Sequence, residues 1–328
     1  MTVQRDCSIP APAFYRTVMH VSHVVSYPMY IITLIILFKE PSKPFQSYKY
    51  FIIVHILINM ATETYVSFLM LPVTYLPHLL IRTTGILAHL GFSGIFQWYV
   101  LATFVMLTGG SICEMFYYRF QVSVFDYQKH KMSWYILFAK WTYRGLVVGH
   151  VIFAACTINE SIYNIQEASV KLLLAEPTLV PEITCYSTVL GLPGDYINTI
   201  VALIYTMSFL IAVTSAISCL LFIFLLLKKN ERLSKTTVRM QTMFVFSLGV
   251  QTAVHGIMIA GPGAVFLYTL FSSFNYDDLA LLMLVCVAYH GFFSLLAMIM
   301  FTKPIRDKML CRKNVREKVV VSISQTQL

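Results

Sequence analysis

The sequence predicts an all-α membrane protein, a bundle of seven transmembrane helices with the amino terminus outside the cell and the carboxyl terminus in the cytoplasm. Three observations predict it: the composition, the number of long apolar segments, and the distribution of cations between the loops. Of the 328 residues, 58% are hydrophobic and 12% are charged, whereas soluble domains average roughly 45–50% apolar and about 25% charged residues. The chain is therefore expected to lie in a bilayer.

Seven apolar segments reach the length of roughly 20 residues that is needed to cross a hydrocarbon core about 30 Å thick. Neither a Pro/Ser-rich linker nor an internal repeat separates them, so we expect one membrane domain. The start of the chain lacks the layout of a cleavable signal peptide, so the first helix is expected to direct insertion. The predicted segments are 14–38, 50–71, 92–117, 138–158, 197–227, 240–266 and 279–301.

The cations define the predicted orientation. Alternate loops on one side hold 20 of the 24 Lys and Arg residues, and cation-rich loops are cytoplasmic. This leaves residues 1–13 as a short extracellular amino terminus, 14–301 as the transmembrane domain and 302–328 as a cytoplasmic tail. The formal charge of +9 then belongs to the cytoplasmic face, where it suits anionic lipid or an acidic partner protein rather than nucleic acid.

Segment two carries a polar stripe. Glu63 lies near the predicted bilayer midplane, where a carboxylate is costly and usually faces the bundle interior. His55 and Asn59 precede it by eight and four residues, so all three share one helix face. This stripe is either a functional polar core or a purely structural network around a protonated Glu63. Pro72 and Pro77 end the helix, next to either a ligand vestibule or a plain exit loop.

Segment three ends with two charges, Glu114 and Arg119. At i and i+5 they stand about 140° apart around a helix, so each is expected to meet a different neighbour. Arg119 is either an interfacial anchor or a switch residue that helix motion releases to a cytoplasmic partner. In segment four, Lys140 and Arg144 fall in the first turns, where they are expected to extend back to the lipid headgroups.

The stretch 159–196 is predicted to be a long, acidic outer loop. Asn159 begins a candidate glycosylation sequon there. Cys7 and Cys185 are the only cysteines placed on the oxidising side, so they form a candidate disulfide. Cys311, in the cytoplasmic tail beside the membrane, is a candidate for palmitoylation.

The loop between segments five and six is strongly basic. It is either a solvated charge run or a surface for a cytoplasmic protein. In segment seven, His290, Gly291 and Ser294 occupy adjacent turns, as polar and small residues do at membrane helix interfaces; His290 alone is equally a satisfied core residue. After Pro304 the tail is expected to form a short amphipathic helix. The candidate G-protein-coupling cations of the basic loop are Lys228, Lys229, Arg232, Lys235 and Arg239.

No nucleophile triad, phosphate loop, HExxH motif or cysteine/histidine metal spacing occurs in the sequence. We therefore expect no enzyme activity, no catalytic residue, no metal and no cofactor.

Four stretches resemble the nematode serpentine chemoreceptors of class h, with class i a close second, in the superfamily of seven-transmembrane G-protein-coupled receptors. They are Glu63 with Pro72 in "ETYVSFLMLP", Arg119, "LSKTTVRMQ", and "HGFFSLLAMIMFTKPIR". Two positions depart from the family pattern: Ile305 replaces a tyrosine, and Tyr117 stands where the family has an acid.

The resemblance implies a receptor in the plasma membrane of sensory cilia. Its expected partners are a small environmental chemical, as in olfaction, a heterotrimeric G protein and membrane lipid. The alternative is a transporter or channel in which Glu63 and His290 relay a proton or ion, although the chain lacks the matching half-repeats of many carriers. A structural membrane protein without a ligand is a third hypothesis.

Overall fold

The structure is a computed structural model. It describes residues 7, 9–39, 43–75, 80–123, 131–176, 181–191, 195–229, 235–269 and 277–309. Within these residues, seven helical segments are long and apolar enough to cross a membrane. The predicted seven-helix membrane fold is thereby confirmed.

Ten α-helices make up most of the described chain. Two π-helical stretches, Tyr65–Met70 and Gly256–Ala260, continue α2 and α7, and a 3₁₀ turn spans Pro181–Thr184. The helices are α1 Ala13–Lys39, α2 Lys43–Thr64, α3 Ile86–His89, α4 Gly94–Ser123, α5 Lys131–Ala175, α6 Tyr196–Lys229, α7 Lys235–His255, α8 Gly261–Thr269, α9 Asp277–Phe301 and α10 Lys303–Met309.

Helix α4 lies at the centre of the bundle, where it contacts α2, α5, α6 and α7. In a bilayer every backbone N–H and C=O must be satisfied within the protein, and an α-helix does this within its own segment. A helix that spans the bilayer carries apolar side chains on both its inner and its lipid-facing sides. In α6, for example, Leu221 and Leu225 are exposed while Ile223 is buried.

The end of α2 is shaped by its sequence. The last turn widens into a π-helix, and the Leu71 N–H donates to the Val66 carbonyl at 3.0 Å, five residues back. Leu71 itself has φ +42°, a left-handed conformation that is unusual for a bulky residue. Pro72 follows and begins a strand, because its missing N–H cannot continue the helix. Pro77 lies outside the described residues.

A small antiparallel sheet lies at this end of the bundle. It consists of β1 Pro72–Tyr75, β2 Leu80–Thr83 and β3 Thr188–Leu190, in the order β1-β2-β3. A disulfide joins Cys7 to Cys185 beside it. We call this the capped end. The sequence analysis missed the sheet because strands of three or four residues are too short to show a clear alternation of apolar and polar residues.

The predicted long loop at 159–196 is wrong over its first half, because α5 continues without a break to Ala175. This extension is polar enough to lower the hydropathy yet keeps one apolar face. Its apolar residues recur at helical spacing and pack against the sheet, and they include Ile158, Ile162, Ile165, Ala168 and Leu172. Asn159 is therefore an exposed residue within a helix, not a loop residue.

The opposite end of the bundle contains the last turns of α4, and we call it the Arg119 end. The short helix α10 lies here, in the region where the sequence predicts a short amphipathic helix. Ile305, one of the two residues that depart from the family pattern, is buried in α10. Cys311 lies outside the described residues, so the palmitoylation hypothesis stays a prediction.

Candidate functional site

Arg119 is enclosed by aromatic rings at the Arg119 end. Its guanidinium carbon lies 3.4 Å from the ring centre of Tyr48, on α2, and 4.0 Å from that of Phe244, on α7. Its Nη1 makes a long hydrogen bond of 3.4 Å to Gln241 Oε1, also on α7. The residue is 2% exposed, and no salt bridge joins it to a described carboxylate. We call these three partners of Arg119 the arginine cage.

Glu114 has different partners. Its carboxylate pairs with Lys140 Nζ at 3.1 Å and with Arg144 Nη2 at 2.5 Å, both on α5. The expectation that Glu114 and Arg119 meet different neighbours agrees with this geometry. The expectation that Lys140 and Arg144 lie in the first turns was wrong, because α5 begins at Lys131. They lie deeper along the helix and neutralise a carboxylate there.

The cations of the basic loop are only partly visible. Arg239 is exposed on α7, two residues from Gln241 of the arginine cage. Lys228, Lys229 and Lys235 lie at the facing ends of α6 and α7, but their side chains are not among those described. Arg232 lies outside the described residues. The loop therefore stays a predicted interaction surface.

The polar stripe on α2 is buried in the centre of the bundle. His55 Nδ1 lies 2.7 Å from Ser111 Oγ on α4, and that hydroxyl donates to the Thr108 carbonyl. A neutral His55 that carries its proton on Nδ1 satisfies both contacts, because the hydroxyl has only one hydrogen to donate. The other nitrogen, Nε2, accepts from the Asn59 amide at 3.1 Å and lies 3.5 Å from Ser294 Oγ on α9.

Two further histidines extend this stripe between α7 and α9. The ring centres of His55 and His255 are 5.3 Å apart, as are those of His255 and His290. His255 donates from Nδ1 to the Gln251 carbonyl, and His290 donates from Nδ1 to the Val287 carbonyl. Each Nε2 is a buried acceptor that has no hydrogen-bond donor within the described part of the chain. The cluster thus links α2, α4, α7 and α9.

Glu63 faces α1 rather than the histidines. Its carboxylate accepts from Ser26 Oγ at 2.5 Å and from the Tyr30 hydroxyl at 3.1 Å. Within the described residues, no hydrogen bond joins Glu63 to His290. The predicted polar stripe therefore divides into two networks, one around His55 and one around Glu63.

Gly291 permits these two networks to lie side by side. A Cβ built there would overlap the Tyr30 hydroxyl and would lie 3.1 Å from Asn59 Cβ. The absence of a side chain at Gly291 lets α9 approach α1 and α2 closely, as small residues do between membrane helices.

A cavity of about 370 Å³ opens at the capped end. Its walls come from the start of α1, the π-helical end of α2, β2, the α3 region and Ser187. The disulfide residue Cys7 also lines it, so the covalent link between Cys7 and Cys185 fixes one wall against the sheet. The cavity lies beside the end of α2, where the sequence leaves a ligand vestibule and a plain exit loop as alternatives.

Several of these residues could not be found from the sequence. Tyr48, Gln241 and Phe244 reach Arg119 from helices far away along the chain. Gln241 does stand at the end of "LSKTTVRMQ", but nothing in that stretch pairs it with Arg119. The contacts of His255 were not predictable either, because its partners lie on α2 and α9. The periodicity of a helix shows which face is buried but not which residues of another helix it meets.

The fold and the buried polar network define a multi-pass membrane protein of the seven-helix class. A family model described as "Serpentine type 7TM GPCR chemoreceptor Srh" matches residues 10–312. The chain belongs to this family of chemoreceptors, which are receptors and not enzymes, and the predicted class h is confirmed over class i. No curated protein and no solved structure matches the chain.

Proposed function

We propose that the protein binds a small environmental chemical at the capped end and activates a heterotrimeric G protein at the Arg119 end. It acts in the plasma membrane of sensory cilia, in olfaction. Residues 1–13 lie outside the cell, residues 14–301 form the transmembrane domain and residues 302–328 form the cytoplasmic tail. Membership of the Srh family supports the receptor role.

Two features support this orientation. The loops at the Arg119 end carry most of the 24 Lys and Arg residues, which is typical of cytoplasmic loops. The disulfide between Cys7 and Cys185 lies at the opposite end, and disulfides persist in oxidising compartments. Both observations favour an extracellular capped end.

The arginine cage is the observation that carries the proposal. A buried guanidinium without a described carboxylate partner is held by aromatic faces, and each such contact contributes about 0.5–2 kcal/mol. Because Phe244 and Gln241 belong to α7, a small movement of α7 away from α4 removes two of the three cage residues at once. Arg119 then becomes available to the G protein, together with the cations of the basic loop.

The polar core supplies the link between the two ends. His55, His255 and His290 lie in contact across α2, α7 and α9, so a shift of α7 must rearrange this cluster. The ligand shifts the equilibrium only by the difference in its affinity for the two arrangements. In this scheme, Glu63 holds α1 against α2, and Ser294 holds α9 against α2.

The test is GTP exchange on added Gα proteins, using membranes that contain the protein and pooled small chemicals. We expect exchange that depends on a chemical in the wild type and its loss in Arg119→Ala, with surface delivery unchanged. Arg144→Ala is the matched control, because Arg144 lies at the same end but pairs with Glu114. Intact exchange in Arg119→Ala would remove Arg119 from the mechanism.

The transporter hypothesis has less support. The family consists of receptors, and the described hydrogen bonds leave Glu63 and His290 in separate networks. It predicts proton-dependent current or uptake that disappears in Glu63→Gln. Such a flux, in the absence of any exchange on Gα, would replace the receptor proposal.

A further inference from the structure

The cavity at the capped end is basic. Arg16 and Arg82 line it together with His20 and His89. Among the described residues that line it there is no Asp or Glu. The acids on the polar extension of α5 do not reach it, so they give no reason to expect a cationic ligand here. A concave surface lined by one sign of charge concentrates ligands of the opposite sign.

Arg82 is the buried part of this basic lining. It is 1% exposed, and its Nε and Nη1 have no hydrogen-bond partner within the described part of the chain. Its ionic neighbour is Glu182, whose Oε1 lies 3.5 Å from Nη1, beyond the usual N–H···O range of about 2.7–3.2 Å. The guanidinium therefore keeps unused donors, and its planar fork matches a carboxylate.

The remaining walls are largely apolar. They include the rings of Phe68 and Phe92 and the side chains of Leu71 and Ile86. The volume of about 370 Å³ falls near the lower end of the range of roughly 300–1,000 Å³ for ligand pockets. Leu71 holds its left-handed backbone conformation at this wall, and such strained residues cluster at ligand sites. The space fits a small molecule with an apolar body and one polar end.

We propose that this cavity binds a small anionic amphiphile, namely a monocarboxylate with an aliphatic or aromatic tail. The carboxylate accepts hydrogen bonds from Arg82, and the tail lies against Phe68 and Phe92. The inference deepens the proposed function and rests on it for the consequence of binding. Binding itself requires no G protein, so the two can be tested separately.

The test measures equilibrium binding of labelled octanoate and labelled phenylacetate to the purified full-length protein with its disulfide intact. Octanol and octylamine serve as competitors that keep the tail and change the head group. We expect saturable binding of at least one acid, weak competition by octanol and none by octylamine. This order is the signature of a cationic site with an apolar wall.

Three variants locate the binding site. The double variant Arg82→Gln/Glu182→Gln removes the charge without leaving Glu182 buried and unpaired, and we expect binding weakened about tenfold or more, because hydrogen bonds to charged groups contribute about 1.5–3 kcal/mol. Ala88→Phe fills the cavity and is expected to abolish binding. Lys171→Gln removes an exposed cation of α5 that does not line the cavity, and we expect no change.

The outcomes separate this inference from the receptor proposal. No saturable binding of either acid to the folded wild type overturns the inference, as does binding that octylamine or octanol matches or that the double variant retains. Acid binding without exchange on any Gα keeps the cavity as a site and removes the receptor proposal. If chemicals that never displace the acids drive GTP exchange, the receptor proposal is supported and the proposal that this cavity is the ligand site is contradicted.

Discussion

The two ends of the bundle are held together by different means. At the capped end, a disulfide and a three-stranded sheet connect the amino terminus, the end of α2 and the segment after α5. At the Arg119 end, the described contacts between helices are side-chain contacts, among them the arginine cage and the Glu114 pairs. Covalent and backbone bonds fix one end, whereas rotatable side chains hold the other.

This difference agrees with the tasks that we propose for the two ends. A ligand site benefits from walls that are already in place, because ordering flexible walls costs binding free energy. A switch needs two arrangements that differ by only a few kcal/mol. The disulfide and the sheet hold the walls of the capped end in place, and the arginine cage is built from individually weak contacts.

Removing the disulfide is expected to have the largest effect on the capped end. In Cys7→Ser/Cys185→Ser, we expect the free energy of unfolding to fall by about 2–4 kcal/mol, as for other native disulfides. Thermal unfolding of the purified protein measures this change. Cys156→Ser is the control, since Cys156 is an exposed free cysteine. Equal stability of the double variant and this control would show that the disulfide does not hold the capped end.

Gly94 provides the next largest effect at the same end. A Cβ at Gly94 would lie 2.6 Å from the Ser187 carbonyl oxygen, so Gly94→Ala forces the backbone before β3 to move. We expect a loss of about 1–3 kcal/mol, the usual cost of overpacking. Gly145→Ala has no atom within 4 Å of the new Cβ and should stabilise α5 by up to about 1 kcal/mol. Thermal unfolding curves of the two variants show whether each substitution lowers or raises the free energy of unfolding.

The helices were predictable because burial in lipid requires long apolar runs, and such runs are visible in one sequence. The i and i+4 spacing of His55 and Asn59 likewise predicted that they share a face, and they are hydrogen-bonded. The polar half of α5 was missed because its helical signal is a narrow apolar face rather than high hydropathy.

The arginine cage and the histidine cluster were not predictable in the same way. Tyr48 and Phe244 meet at Arg119 only because α2 and α7 both pack against α4. The basic character of the cavity was also hidden, since Arg16 and Arg82 are two of the few cations outside the basic loops and lie far apart in the chain. Their joint position depends on the sheet, whose strands are too short to predict.

Weakening the arginine cage tests the proposed switch at the Arg119 end. Tyr48→Leu removes one aromatic face from Arg119, so we expect exchange in the absence of ligand to rise roughly 2-fold to 30-fold, the equivalent of about 0.5–2 kcal/mol. Stability of the capped end should not change. The measurement is basal GTP exchange per surface-delivered receptor.

Tyr50→Leu is the control for this variant, because Tyr50 lies on the same helix but is exposed and does not belong to the cage. Adding Arg119→Ala to Tyr48→Leu should return basal exchange to the wild-type level or below it. If Tyr48→Leu instead lowered exchange both with and without ligand, the cage would belong to the active arrangement and not to the resting one.

The smallest effect is expected at Glu114. It is partly exposed and shares its charge between Lys140 and Arg144, so Glu114→Gln should cost about 0–1 kcal/mol of stability, and less at high salt. Chemical-dependent exchange should persist, because Glu114 binds α4 to α5 and does not contact the cage. Thermal unfolding at low and high salt, with Glu167→Gln as the control at an exposed pair, measures the first point. Loss of exchange comparable to that in Arg119→Ala would contradict the second and would extend the switch from the α4–α7 contact to the α4–α5 contact.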